Sequence, residues 1–139
     1  MSKYFTLQEL IYSDTAIRSG ITNMPPPSIE VHLNELMLFL DELRIAWGSA
    51  IRVTSGYRCN KLNRLVGGAD TSAHLVGYAA DLQPVNGKMK EFKQFVQNWI
   101  KDKMFDQCLL EKSRTAEWVH IGLKNQYSKQ RKEIKLLNV

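Results

Sequence analysis

Two histidines and an aspartate stand at positions where they could form a metal site. His74 and Asp81 are seven residues apart, with Gly77 between them where the chain can turn, and His120 follows much later. If His120 lies on a strand beside that of Asp81, all three side chains can meet at one point. Two imidazoles and one carboxylate are a three-ligand set for zinc that leaves a fourth position for water, as in catalytic rather than structural zinc sites. The spacing therefore predicts a candidate zinc site for hydrolysis.

A carboxylate near this set would complete such a site. Zinc lowers the pKa of bound water and polarises a carbonyl oxygen. An anionic Asp ligand offsets part of the metal's positive charge, so a nearby base is needed to help remove the proton from water. Glu117 stands three residues before His120. We predict that Glu117 takes a proton from water and returns it to the leaving amine as a general acid/base.

The same residues have simpler interpretations. Any one His–Asp spacing arises readily by chance, so His74 and His120 could be ordinary polar residues on a loop and a strand. Asp81 and Glu117 could then mark a cap and a turn. Nucleophilic pairs of His74 with Cys59 or with Ser72 lack a third orienting group and an elbow motif, which disfavours both. The combination of residues, rather than one spacing, has to distinguish these possibilities.

The first half of the chain predicts helices followed by a strand. Thr6 and Glu9 form a capping box for a short helix, with a loop running on to the prolines at 25–27. Ser28 is a plausible N-cap for a long core helix with apolar residues every three or four positions, ended by Gly48. Residues 51–57 alternate as in a strand, which would place Tyr57 and Arg58 at its end.

The second half predicts further strands and one more core helix. A strand is expected at 78–82, a helix between 86 and 103, and two strands at 105–110 and 118–123. Strands close together in sequence and mixed with helices favour an α+β fold with a mainly antiparallel sheet and helices packed on it.

Composition bounds the class of protein. The chain has 139 residues, 44% of them hydrophobic and 24% charged, which fits one globular domain over residues 1–139. The start lacks the apolar segment of a secretory signal, so we expect a protein that is cytoplasmic as synthesised, and no apolar run is long enough for a membrane span. Cys59 and Cys108 have neither zinc-finger nor CxxC spacing and are expected to be free thiols.

The excess positive charge lies near the C-terminus. From Lys124 onward the chain has five basic residues and one acid, against a net charge of +5 for the whole sequence. This predicts a basic C-terminal tail, either simply solvated or attracted to an anionic polymer. No pattern of the RNA-binding modules accompanies it, so nucleic acid is not an expected partner.

Four blocks of residues together resemble the LAS-type zinc peptidases. This group includes D-Ala-D-Ala carboxypeptidases and dipeptidases and phage L-alanyl-D-glutamate endopeptidases, and it shares its fold with the hedgehog signalling domain. The N-terminal segment 5–10 also resembles the opening of its small single-domain members. The blocks are Ser55-Gly-Tyr-Arg58; Asn63 with Gly67-Gly68; Ser72-x-His74-x-x-Gly77-x-Ala79-x-Asp81; and Glu117-Trp-Val-His120.

The resemblance implies a function and a role for each matching residue. It implies Zn²⁺ bound by His74, Asp81 and His120, Glu117 as general acid/base, and Arg58 polarising the scissile carbonyl or holding a substrate carboxylate. Ser72 matches the serine of the family and could contact substrate. Tyr57 and Trp118 are further candidates for substrate contact, although Trp118 could instead simply pack on its strand.

The implied activity is hydrolysis of an amide bond in peptidoglycan peptides, either a D-Ala-D-Ala or an L-Ala-D-Glu bond. A phage or prophage endolysin, monomeric and released to the cell wall, fits the small size. The alternative is a non-catalytic, zinc-stabilised binding module of the same fold, although retention of Glu117 argues against it.

Overall fold

The computed structural model describes residues 1–139 as five α-helices, two 3₁₀ turns and one five-stranded sheet. The helices are α1 (Leu7–Ile11), α2 (Asp14–Arg18), α3 (Pro27–Trp47), α4 (Asn60–Leu65) and α5 (Met89–Trp99). The strands are β1 (Ile51–Ser55), β2 (Ala79–Pro84), β3 (Gln107–Lys112), β4 (Glu117–Gly122) and β5 (Glu133–Asn138), and the 3₁₀ turns are Ala73–Val76 and Ile100–Asp102.

The sheet is mixed but mainly antiparallel. Its strand order is β1-β2-β4-β3-β5, and only the β3–β5 pair is parallel. The predicted α+β class with a mainly antiparallel sheet is therefore confirmed. In the register of β2 and β4, Asp81 lies directly opposite His120. Cross-strand partners project to the same face of a sheet, so the topology brings these two side chains together.

One face of the sheet carries the hydrophobic core. Helices α3 and α5 cover this face, and their apolar stripes pack against the inward-facing residues of the central strands. The core includes Leu36 and Leu40 from α3, Phe92 and Val96 from α5, and Leu82, Val119 and Ile121 from the sheet. The other face of the sheet is free to carry polar groups.

The N-terminal region agrees with the sequence prediction in part. Thr6 caps α1 by accepting a hydrogen bond from the Glu9 backbone N–H, as the capping box predicts. The expected loop after it contains the short helix α2, which Ser13 caps in the same way. Helix α3 begins at Pro27 rather than after Ser28, because proline suits the first turn, where its missing N–H is not needed.

The C-terminal segment differs from a solvated tail. Residues 133–138 form β5, which extends the sheet beside β3. Arg131 donates to both carboxylate oxygens of buried Asp106, from Nε at 2.7 Å and from Nη2 at 2.8 Å. An edge strand with unpaired backbone groups offers hydrogen bonds to any segment that can lie along it. Residues 133–138 are therefore paired with the sheet rather than lying free in solvent.

Two further features concern the whole chain. No helix combines the length and the apolar character that crossing a membrane would require. Both cysteines are free thiols, as predicted, and Cys108 is fully buried in the core. Burial raises the pKa of the Cys108 thiol to about 12, so this sulfur is not a reactive thiolate near neutral pH.

Candidate metal centre

Three side chains with metal-ligating atoms converge on the face of the sheet opposite the core. One ligand atom from each of His74, Asp81 and His120 lies within 4.8 Å of the other two. His74 Nε2 is 3.5 Å from Asp81 Oδ1, and His120 Nδ1 is 2.9 Å from the same oxygen. The structure therefore brings the three sequence-predicted ligands together.

The ring of His74 is held in one orientation by the backbone. Its Nδ1 lies 2.6 Å from the carbonyl oxygen of Gly56, so this nitrogen carries the proton and donates it. The other ring nitrogen, Nε2, is then left with its lone pair facing Asp81. His74 is almost completely buried, and burial lowers the pKa of its imidazole, which favours the neutral form that metals bind.

Asp81 is ionised despite its surroundings. Burial by itself would raise the pKa of this carboxyl group, but the adjacent imidazoles of His74 and His120 outweigh that effect and hold the pKa well below its usual range. A neutral imidazole facing a buried carboxylate is a donor set suited to a divalent cation.

Local geometry explains how His74 reaches the sheet. The residue lies on the 3₁₀ turn Ala73–Val76, which Ser72 caps through its hydroxyl. Gly77 ends the turn with φ at 78°, a left-handed conformation that glycine adopts without strain. A Cβ at Gly77 would also lie 2.9 Å from Ile29 Cγ2 on α3. The turn that the sequence placed between His74 and Asp81 is therefore present.

Arg58 lies beside the three ligands at the end of β1. A bulge between Val53 and Ser55 brings Ser55 opposite Asp81, and the Ser55 hydroxyl accepts a hydrogen bond from Arg58 Nε at 3.3 Å. Arg58 Nη1 donates to Asn63 Oδ1 at 3.0 Å. Burial lowers the pKa of the Arg58 guanidinium, which nevertheless stays charged at any physiological pH.

Glu117 does not lie with these groups. It shares the face of β4 that holds core residues Val119 and Ile121, because side chains three positions apart on a strand point to opposite faces. Its carboxylate is 3.8 Å from Lys93 Nζ on α5 and 3.6 Å from Lys112 Nζ. His74, Asp81 and His120 line one cavity, called the metal cavity below, and Glu117 is absent from its lining. The structure therefore separates Glu117 from the three candidate ligands, and its acid/base role stays a prediction.

A different carboxylate, Glu111 on β3, lines the cavity. Its register partner on β4 is Trp118, two residues from His120 and therefore on the same face. Trp118 Nε1 donates to Glu111 Oε2 at 2.8 Å, which orients the carboxylate. Burial raises the pKa of Glu111, and the charge of Asp81 adds to this effect. The sequence analysis did not single out Glu111. Alternation along the strand that precedes that of His120 could have indicated that Glu111 faces the same side of the sheet as His120.

The other predicted substrate residues are distributed around the site. Ser72 and Trp118 line the metal cavity, whereas buried Tyr57 lines a second cavity beside it. The hydroxyl of Ser72 accepts a hydrogen bond from the His74 backbone N–H at 3.2 Å.

The metal cavity is about 480 Å³ in volume, and its neighbour is about 380 Å³. Arg58 and Asp81 line both cavities. Beyond the ligands, the metal cavity is bordered by Asp106, Asn125 and Arg131, so the C-terminal segment contributes to its wall.

The residues present fit zinc. Two nitrogen donors and one carboxylate oxygen match its preferred ligands, and a set of three leaves a position for water or substrate. The backbone bond to His74 Nδ1 is the outer hydrogen bond that metal-binding histidines almost always make. The side chains thus have the donor atoms and the outer hydrogen bond that a zinc site needs.

Comparison with known proteins agrees with this geometry. No curated protein matches the chain. A family model described as Peptidase M15 matches residues 3–122, which include all three candidate ligands, Arg58 and Glu111. M15 peptidases are zinc enzymes of the LAS type. The match covers most of the chain and agrees with the resemblance of the sequence blocks, so the chain belongs to the Peptidase M15 family.

Proposed function

We propose that this protein hydrolyses an amide bond in peptidoglycan peptides, with Zn²⁺ held by His74, Asp81 and His120. Membership of the M15 family makes it a metallopeptidase in general terms. The observation that carries the specific proposal is the convergence of the three ligand atoms within 4.8 Å, in a cavity that also contains Glu111 and Arg58. A metal, a base and a cation around one cavity are the parts needed for amide hydrolysis.

Zinc bound at this site would supply Lewis acidity, polarising the scissile carbonyl and increasing the acidity of water. The protein itself holds the imidazoles of His74 and His120 in position to bind the metal. The Gly56 carbonyl holds the first imidazole, and the Asp81 carboxylate faces both. Preorganised ligands of this kind spare the reaction the free energy of rearranging them.

Glu111 is the proposed general base in place of Glu117. A raised pKa makes the Glu111 carboxylate more basic than one in water, which suits proton transfer. In the proposed reaction Glu111 takes the proton of the attacking water as the new C–O bond forms. It then gives that proton to the amine nitrogen as the C–N bond breaks, so the carboxylate is regenerated.

Arg58 is the proposed partner of the substrate oxygen. Its guanidinium is fixed by Ser55 and Asn63 and remains accessible to both cavities. From this position it can stabilise the negative charge that develops on the carbonyl oxygen, or bind a neighbouring substrate carboxylate. Trp118 keeps Glu111 aligned, and Ser72 and Tyr57 provide cavity walls.

Two substrate bonds remain the candidates, a D-Ala-D-Ala terminus and an L-Ala-D-Glu bond. Arg58 suits both, because each substrate has a carboxylate close to the scissile bond. The role of an endolysin released to the cell wall stays a prediction that the small size and basic surface favour.

The test compares two glutamates in one assay. Zinc-loaded wild type, Glu111→Gln and Glu117→Gln are incubated with purified peptidoglycan peptides, and the release of free amino groups is measured. We expect Glu111→Gln to lose activity by about 10²–10⁴-fold and Glu117→Gln to stay near wild type. The opposite ranking would overturn the assignment of the base. No release by wild type would favour the alternative, a zinc-stabilised binding module.

A further inference from the structure

Asn23 lies in the loop between α2 and α3 and lines neither of the two cavities. Its side-chain amide makes three hydrogen bonds to backbone groups that are distant along the chain. Nδ2 donates to the carbonyl oxygens of Ile11 and Tyr57, each at 2.9 Å. Oδ1 accepts from the backbone N–H of Cys59 at 2.8 Å. The three bonds use both N–H donors of the amide and its oxygen, so its orientation is fixed by its partners.

Two of these partners flank Arg58. Residues 56–59 connect β1 to α4 and belong to neither, so no strand neighbour supplies the hydrogen bonds of this segment. Backbone polar groups that are shielded from water need a partner of some kind. The carbonyl of Tyr57 and the N–H of Cys59 both find theirs in the amide of Asn23. This amide therefore acts as a peptide group of a neighbouring strand would, and it fixes the backbone from which the Arg58 side chain projects.

The position of the Arg58 guanidinium depends on that backbone. Nε donates to Ser55 Oγ at 3.3 Å, a long hydrogen bond, and Nη1 donates to Asn63 Oδ1 at 3.0 Å. The backbone N–H of Arg58 donates to the carbonyl oxygen of His74 at 3.1 Å, on the turn that carries a candidate ligand. A displacement of residues 57–59 would therefore move the guanidinium relative to the metal site.

The third bond of Asn23 reaches the opposite wall of the smaller cavity. Ile11 is the last residue of α1, and residues 12–15 line the cavity of about 380 Å³ that Arg58 also lines. One amide thus joins the end of α1 to the segment that carries Arg58, and it sets the spacing between the two walls.

Resting on the proposed function, we infer that Asn23 is a positioning residue that acts on the reaction through Arg58. Its effect passes through the backbone at 57–59 to the guanidinium. A group that stabilises developing charge has to be held within about 0.5 Å of its productive position. A misplacement of about 1 Å can cost about 10²-fold in rate, even when the mutation is remote from the reacting atoms.

A double-mutant cycle separates this role from a general contribution to folding. Asn23→Ala, Arg58→Ala and the double variant are assayed on purified wall peptides at saturating zinc, with circular dichroism and urea unfolding showing that each is folded. Products are quantified by mass spectrometry, so that the residual activity of Arg58→Ala is measured.

We expect Asn23→Ala to lower kcat/KM by about 10–100-fold when Arg58 is present and by less than about threefold when it is absent. An equal loss in both backgrounds would overturn the inference, because Asn23 would then act independently of Arg58. No cleavage by wild type would instead overturn the proposed function and this inference with it.

Asn23→Asp gives a second cycle that remains available if Asn23→Ala unfolds. The aspartate has the size of asparagine and keeps an acceptor for the N–H of Cys59. Its carboxylate cannot donate to the carbonyl oxygens of Ile11 and Tyr57. We expect a loss of at least about tenfold in kcat/KM, again only when Arg58 is present. Activity equal to that of wild type would contradict the positioning role.

Asn86→Ala is the matched control. Asn86 Oδ1 also accepts from a backbone N–H, that of Lys88 at 3.0 Å, but the residue lines neither cavity. We expect this variant to retain wild-type kcat/KM. A loss as large as that of Asn23→Ala would show that the effect is not specific to the Arg58 segment, and it would overturn the inference.

Discussion

Replacement of Gly56 by alanine should damage both stability and zinc binding. A Cβ at this position would lie 2.2 Å from the backbone oxygen of Leu10 and 2.9 Å from its carbonyl carbon. Backbone atoms cannot move aside as a flexible side chain can, so the end of α1 must shift away from the end of β1. The adjacent hydrogen bond from Tyr57 N to Leu10 O, at 2.7 Å, would be weakened.

The magnitude follows from these two effects. Overpacking in a well-packed region costs about 1–3 kcal/mol, and one backbone hydrogen bond contributes about 0.5–1.5 kcal/mol. We expect Gly56→Ala to lower the free energy of unfolding by about 2–4 kcal/mol. The Gly56 carbonyl also holds His74 Nδ1, and loss of such an outer hydrogen bond lowers metal affinity by about 10–100-fold.

Urea unfolding and chelator competition measure the two quantities. Gly122→Ala is the matched control, because a Cβ there would meet its nearest atom, His120 Nε2, at an ordinary 3.6 Å. We expect this control to stay near wild type in both assays. Equal stability and equal zinc affinity for the two variants would refute the claim that the packing of Gly56 against Leu10 stabilises the fold and keeps the Gly56 carbonyl in place to hold His74.

Three further predictions concern the carboxylates of the site. Trp118→Phe removes a hydrogen bond that lowers the pKa of Glu111, so the pKa should rise further. The acidic limb of the pH–rate profile should then move to higher pH, and an unmoved limb would argue against Glu111 as the base. Arg131→Ala should lower the free energy of unfolding, measured in urea, by about 2 kcal/mol. This is less than for a fully buried ion pair, because the Arg131 side chain is half-exposed. An unchanged free energy of unfolding would show that the pair with Asp106 contributes nothing. Burial opposes ionisation of Asp106, but Arg131 holds its pKa below the usual value. The stability from this pair should therefore be complete above about pH 4 and be lost as pH falls through the lowered pKa, a loss that Arg131→Ala should not show.

Much of the fold follows from the sequence because its periodic segments are long. Helix α3, the alternation in β1 and the apolar stripe of α5 are local patterns that hydrophobic burial alone dictates. Helix α2 has only five residues, too few for a periodic signal. Strand β5 mixes charged and apolar residues, so its sequence carries no clear strand pattern. It forms because its backbone pairs with the edge of β3, and a pairing between distant segments cannot be read from local sequence.

The candidate site shows the same division. The convergence of His74, Asp81 and His120 could be predicted because their residue types and spacing together indicate a metal site. The carboxylate that lines the same cavity could not be predicted from proximity in sequence. Glu117 is closer to His120 along the chain, but an offset of three on a strand reverses the face, whereas Glu111 reaches the same face from the neighbouring strand.

Zinc-edge X-ray absorption spectroscopy on the purified, zinc-loaded protein tests the central claim most directly. We predict one zinc per chain, coordinated by two imidazole nitrogens with only oxygen donors besides, and loss of one imidazole contribution in His120→Ala. A zinc ion with sulfur ligands from Cys59 or Cys108, or a spectrum unchanged by His120→Ala, would contradict the assignment of the metal centre.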